Sequence, residues 1–327
     1  MKRLFIALVF PLLLAYYGCG DSKKAEIINK SNFADSIKVA KELQVLNEQI
    51  SKAPNNADLY YKRSLVYIGI KQLKPAYEDI TKAVQIDSTK SEYYIPLSDV
   101  FFATVQTRMA KQALETSIRL NPNNTDALLK LAELYLYVQK YGDAMDFVNK
   151  ALKINVHLAK GYFIKGMIYK ESNDSAKAIS SFQTVIEQDP EYYNAYMQLG
   201  LLYGAKKNPL AIGYLTSALK INPLSVEALY ARGYFYQQLG AYLAAIKDYE
   251  MLLQIDPKNK SALYNCGVIC TENINKPKEA IQYLTRAISL DSTYAEAYYL
   301  RGICLEQFGK KHEAARDFVQ AKKLGFE

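Results

Sequence analysis

The chain repeats itself about every 34 residues. The stretch from Val226 to Pro257 aligns with the stretch from Ala159 to Pro190. Both have a small residue at position 8, Tyr at 11, Ala at 20, an aromatic residue at 24 and Pro at 32. Eight such units lie end to end, starting at Ala57, Ser91, Thr125, Ala159, Tyr193, Val226, Lys260 and Ala295. The steps are 34, 34, 34, 34, 33, 34 and 35 residues, so the register slips only near "KKNP" at Lys206 and "NINKP" at Asn273. A unit of this length cannot bury its own apolar faces, so it must stack on its neighbours.

Two positions carry the pattern most strongly. Position 8 reads Ser64, Ser98, Ala132, Gly166, Gly200, Gly233, Gly267 and Gly302. Position 20, corrected for the two slips, is alanine eight times: Ala76, Ala110, Ala144, Ala178, Ala211, Ala245, Ala280 and Ala314. The pattern resembles the tetratricopeptide repeat (TPR), a helix-turn-helix unit of 34 residues. The resemblance covers residue 57 to the end. It departs from the family in lacking Trp at position 4 and in carrying Ser88, Val156 and Ser292 where Pro is usual. It implies an all-α fold, a right-handed superhelical solenoid.

The residue types have a physical reason. Two antiparallel helices need small side chains where their backbones cross, which positions 8 and 20 supply. Apolar residues at 4, 7, 11, 24 and 27 recur at helical spacing and face the partner helix. Four units break this at position 7 with Arg63, Lys165, Arg232 and Arg301, whose stems are expected to pack while the charge reaches water. Asp189–Pro190, Asn222–Pro223 and Asp256–Pro257 stop one helix before the next begins. Leu43, Leu46 and Ile50 make a weak stripe, so a capping helix is expected over 36–52, within an N-terminal cap spanning 36–56. At the other end the eighth unit closes on a polar face, with Gly325 suited to a left-handed stop. Pro96 sits inside the first helix of the second unit and removes a backbone donor, so that helix must start late or kink.

The first twenty residues are of another kind. Lys2 and Arg3 precede an apolar run from Leu4 to Tyr17. Fourteen residues rise about 21 Å as a helix, short of the roughly 30 Å hydrocarbon core. The run therefore reads as a signal peptide, residues 1–18, followed by a flexible tether over 19–35. Gly18–Cys19 resembles the end of a bacterial lipoprotein signal, although Tyr16 and Tyr17 fit that pattern poorly. The resemblance implies lipidation of Cys19 and a membrane-anchored protein of the bacterial cell envelope. The competing reading is an ordinary secretory cut nearby. Two or more acyl chains hold a protein on a membrane durably, whereas one does not.

Composition removes several function classes. Lys plus Arg exceeds Asp plus Glu by 41 − 33 = 8, but acids are interleaved and no basic block exists. Nucleic-acid proteins concentrate such charge on one stripe, so no nucleic-acid partner is expected. Cys266, Cys270 and Cys304 read as small buried residues rather than a disulfide framework, with a Cys270–Cys304 bridge as the competing reading. The two histidines, His157 and His312, form no metal-ligand spacing with them, so no metal or cofactor is expected. There is no phosphate loop, nucleophile elbow, His-Glu-x-x-His or Cys-x-x-Cys, and no enzymatic activity is expected.

What remains is surface. The TPR resemblance implies a concave wall made by positions 2, 5, 9 and 12, which binds a peptide segment of a partner protein. The expected groove residues are Tyr61, Leu65, Phe163, Met167, Tyr230, Tyr234, Tyr264 and Tyr299, centred on units six to eight. Units two and three carry acids there instead, Asp99 and Glu133. No unit has the Lys at 5 and Asn at 9 of the TPR subclass that clamps a terminal carboxylate. The competing reading packs these rings between repeats. These features lead us to expect an interaction scaffold for other envelope proteins. The alternative is a nutrient-binding lipoprotein holding a sugar or peptide, which the absence of Trp weakens.

Overall fold

The computed structural model describes residues 22–326, and their side chains from residue 37 onward. The described residues fall into two compact units that divide between Asn121 and Pro122. In the described part of the first unit, a long helix α1 (Ser22–Lys52) precedes α2 (Ala57–Gly69) and α3 (Leu73–Ile86). A short 3-10 turn (Ser91–Tyr93) then leads into α4 (Tyr94–Ala103) and α5 (Thr107–Leu120). The second unit holds six further helix pairs: α6 (Thr125–Tyr137) with α7 (Tyr141–Ile154), α8 (Ala159–Glu171) with α9 (Ser175–Gln188), and α10 (Tyr193–Ala205) with α11 (Leu210–Ile221). They continue as α12 (Val226–Gln238) with α13 (Tyr242–Ile255), α14 (Lys260–Val268) with α15 (Pro277–Leu290), and α16 (Ala295–Gln307) with α17 (Lys311–Lys323). Among the described residues every regular element is helical. The first helix or 3-10 turn of each pair opens at the residue where the sequence period restarts.

Helix crossings account for positions 8 and 20. All eight position-20 alanines are at most 2 % exposed. Each position-8 glycine faces the large side chain at position 24 of its own repeat. A Cβ on Gly166 would lie 2.6 Å from the Phe182 ring, and one on Gly302 2.6 Å from that of Phe318. On Gly200 and Gly267 it would meet Leu215 and Leu284 at 2.6 Å, and on Gly233 it would meet Tyr249 at 3.0 Å. Ser64, Ser98 and Ala132 occur where position 24 is aliphatic: Ile80, Leu114 and Val148. Every aromatic residue at position 24 faces a glycine, whereas leucine faces either glycine (Leu215, Leu284) or serine (Leu114).

Every repeat turns the same way between its helices. Position 15 has positive φ in all eight: Lys71, Val105, Gln139, Asn173, Lys207, Gly240, Asn275 and Gly309, from +51° to +78°. Between repeats, Asp87, Asn155, Asp189, Asp256 and Asp291 end helices in non-helical backbone. Each accepts a hydrogen bond from the amide two residues on. This local turn works equally well at 87, 155 and 291, which explains why no Pro is needed after them.

Three local departures have clear causes. The second repeat starts late: the 3-10 turn occupies 91–93, and Pro96 falls in the first turn of α4, where its missing N–H would lack a helical partner anyway. The extra residue of repeat seven is absorbed by a π turn over Ile269–Asn273, and Ala280 regains its register. Helix α1 begins at Ser22, not at 36, and so runs through much of the segment expected to be a tether. No Pro or Gly interrupts the sequence between Ser22 and Lys52.

The position-7 arginines do not send their charge to water. Arg63 Nε and Nη2 grip Asp79 at 2.7 and 2.6 Å, Arg232 grips Asp248 at 2.7 and 2.7 Å, and Arg301 grips Asp317 at 2.7 and 2.8 Å. The aspartates are 5, 2 and 6 % exposed. Each guanidinium also donates Nη1 backwards, to Asn47, Thr216 and Thr285 at 2.6, 3.0 and 3.1 Å. One planar fork thus ties position 23 of its own repeat to position 25 of the unit before it. Hydrogen bonding to the carboxylate raises the pKa of each arginine further. Repeat two has Leu97 at this position, and the buried hydroxyl of Thr81 accordingly finds no partner.

Candidate functional site

Within the first unit, Tyr61 and Leu65 lie on α2. The Tyr61 ring packs on Tyr93 with centroids 5.1 Å apart, while Leu65 is 42 % exposed. Tyr93 is fully buried and donates its hydroxyl to the Asp58 carboxylate. That hydrogen bond, with the Lys90 ammonium 3.6 Å away, holds Asp58 below the usual carboxylate range.

The other six expected residues lie in the second unit. Phe163 is wedged between Phe182 and Tyr192, at 5.4 and 5.1 Å. Met167 is half-buried against the same cluster. Tyr230 leans on Tyr249 at 5.8 Å, Tyr264 on Tyr294 at 4.8 Å, and Tyr299 on Phe318 and Phe326 at 5.7 and 4.5 Å. Position-5 rings therefore have one face committed to packing within or between repeats. Tyr234 meets Phe235 edge-on at 5.6 Å. Tyr234 and Tyr299 remain 43 and 38 % exposed, and Tyr230 and Tyr264 are half-buried.

Behind this face lies a polar network that pattern reading missed. Asn265 Nδ2 donates to the hydroxyls of both Tyr230 and Tyr249, at 3.3 and 3.1 Å. Tyr249 in turn donates to Gln237 Oε1 at 3.2 Å. Burial drives the Tyr249, Tyr264 and Tyr294 phenols above their ordinary pKa, so they stay protonated. Asn265 occupies position 6, one step from a wall position, and Gln237 occupies position 12, itself a wall position. Helical spacing could have flagged them, but nothing local shows that they bond. The acid at position 9 of repeat three is less open than its sequence suggests, since Glu133 pairs with Lys160 at 3.1 Å.

Chemistry-bearing residues elsewhere are not gathered into a site. Cys266, Cys270 and Cys304 are free and buried, and Thr271 Oγ1 lies 3.1 Å from Cys304 Sγ. Burial pushes the Cys270 thiol up to about 11. His157 and His312 are exposed. Among the described residues no group of His, Cys, Asp and Glu could hold a metal ion, and no helix is long and apolar enough to cross a membrane. Cys19 lies outside the described residues.

Comparison with known proteins points one way. Two family models, each described as a tetratricopeptide repeat, match residues 201–260 and 273–323 and residues 57–90 and 159–192. The chain is 23% identical over 327 residues to the DnaJ homolog subfamily C member 7 homolog of Dictyostelium discoideum, covering 95% of this chain and 56% of that one. It is 22% identical to BBSome complex member BBS4 of Bos taurus, covering 86% of this chain and 54% of the relative. It spans about half the length of the curated relatives it matches. Among solved structures, a tetratricopeptide repeat protein from Parabacteroides merdae shares the fold with a TM-score of 0.50 at 22% identity, covering 72% of this chain and 94% of that one. By these matches residues 57–90, 159–192, 201–260 and 273–323 of the chain are tetratricopeptide repeats.

Proposed function

We propose that the protein is a non-enzymatic interaction scaffold, fixed to a membrane of the bacterial cell envelope by lipid on Cys19. In this reading it holds a peptide segment of another envelope protein against the tyrosine face of repeats six to eight. The supporting observation is the state of those rings. Tyr234 and Tyr299 stand substantially exposed, next to half-buried Tyr230 and Tyr264, over a hydrogen-bonded base of Asn265, Tyr249 and Gln237. Rings held from behind and open in front offer contact area at little entropic cost.

The test pairs two measurements on a Tyr230→Ala, Tyr234→Ala variant. Cross-linking in cells reads partner capture, and thermal unfolding of the purified chain reads stability. Hot-spot truncations cost about 2 kcal/mol or more, roughly thirtyfold in affinity. Capture lost with near-normal unfolding is the expected result. Stability lost with capture retained by the folded fraction would sink the groove. Absence of any protein adduct, with a melting shift on adding a sugar, would favour the nutrient-binding alternative instead. For the anchor, Cys19→Ala is expected to move the protein to the soluble fraction, and retention on membranes after a high-salt wash would refute it.

A further inference from the structure

Helix α1 is in the register of a second helix, and among the described residues no first helix lies at its side. Arg63 reaches back 16 residues to Asn47, as Arg232 and Arg301 reach back 16 to Thr216 and Thr285. The Tyr60 hydroxyl donates to the Pro54 carbonyl at 3.1 Å, just as Tyr94 donates to that of Ser88, 34 residues on. In this register Leu46 stands at position 24, Glu42 at position 20 and Ile37 at position 15. Each complete repeat reverses at position 15 with positive φ, but α1 runs straight through Ile37. The chain is thus carried away from the place where a first helix would lie against α1 and α2.

That place is a cleft of about 650 Å³ within the first unit. Val45, Leu46, Leu65 and Val66 form its apolar floor, while Lys38, Lys41, Lys62 and Glu42 stand at its rim. Val45 and Leu65 are 44 and 42 % exposed. Glu42 is exposed where every complete repeat has a buried alanine. We propose that this cleft seats one amphipathic α-helix of another protein, about as long as the 13-residue helix α2, with acids flanking its apolar stripe. The repeat geometry sets the occupant as a helix, and three lysines against one glutamate set its sign. A helix laid into a groove with its apolar stripe inward and charges matched at the rim is an established mode of recognition. The site lies in a different unit from the tyrosine face and does not depend on it.

Two labelled peptides test this on the full chain by fluorescence anisotropy. Both carry leucines at helical spacing, and they differ only in having Glu or Lys beside that stripe. The acidic peptide is expected to bind at least tenfold tighter than the basic one at low salt. The preference should reverse on Lys38→Glu, Lys41→Glu, Lys62→Glu. Val45→Asp, at an exposed position, should weaken binding about tenfold without moving the unfolding midpoint, and Tyr230→Ala with Tyr234→Ala should leave it unchanged. Equal binding of the two peptides, or no saturation by about 1 mM, would overturn the proposal. So would loss of binding in the tyrosine variant, which would place the peptide on the other face. Two further outcomes would overturn it as well. One is self-association of the chain that Val45→Asp abolishes, since the occupant would then be a second copy. The other is much tighter binding by a chain beginning at Gly20, since its own leading residues would then fill the cleft.

Discussion

Alanine in place of glycine should have opposite signs at two positions of the second unit. Gly166, at the crossing in repeat four, would place its new Cβ 2.6, 2.8 and 2.9 Å from three atoms of the Phe182 ring. That ring is 0 % exposed and already wedged against Phe163, so it has nowhere to move. Overpacking of this kind costs about 1–3 kcal/mol. Losing the glycine returns about 1 kcal/mol of helix propensity, leaving a net loss of up to about 2 kcal/mol, its upper part expected here because the ring cannot yield. Gly213, in α11, has nothing within 4 Å of its virtual Cβ. There only the propensity gain operates, and Gly213→Ala should stabilise by up to about 1 kcal/mol. For a body of this size each kcal/mol moves the midpoint by about 2–4 °C. Thermal unfolding followed by circular dichroism should therefore shift by a few degrees in opposite directions. Phe182→Val in the Gly166→Ala background recreates the Ala–Val pair that repeat three has in Ala132 and Val148. The double variant should be less destabilised than the sum of the singles by about 1 kcal/mol or more. If Gly166→Ala stabilises like Gly213→Ala, the size rule for positions 8 and 24 is wrong.

Three other outcomes follow from particular contacts. Arg232→Leu leaves Asp248 unpaired at 2 % exposure and should cost about 3 kcal/mol, with Arg232→Lys recovering only part because the two-pronged grip is lost; chemical denaturation reads both. Val105 holds φ +61° while 77 % exposed, an unfavourable pairing for a β-branched residue, so Val105→Asn should raise stability by about 1 kcal/mol, and a lower unfolding midpoint would show the strain is absent. In a Cys19→Ser chain the three remaining thiols should resist a thiol reagent at pH 8 until the protein unfolds. Because burial raises Cys270 to about 11, the unfolded chain releases that proton first. Stability should then fall as pH climbs from about 8.5, the free thiol value, and Cys270→Ala should flatten that decline.

The period, the small residues at 8 and 20, and the ends of the repeats were legible in the sequence. All three are local: helical spacing decides which side chains share a face, and an Asp or Asn turn decides where a helix stops. Register survived even the two slips, because the helices tolerate a π turn or a shortened loop more readily than a displaced alanine. The sequence alone could not show that Arg232 would pair with Asp248, 16 residues ahead, and with Thr216, 16 behind. Both partners become neighbours only when three helices stack, and a charge at an apolar position looks equally suited to reaching water. The same holds for the tyrosines. Their spacing put them on one wall, but Tyr264 leans on Tyr294 while Tyr234 stands open, a difference set by which ring the following loop brings overhead. Spacing along one helix assigns a face; only packing between helices decides how much of that face water can reach.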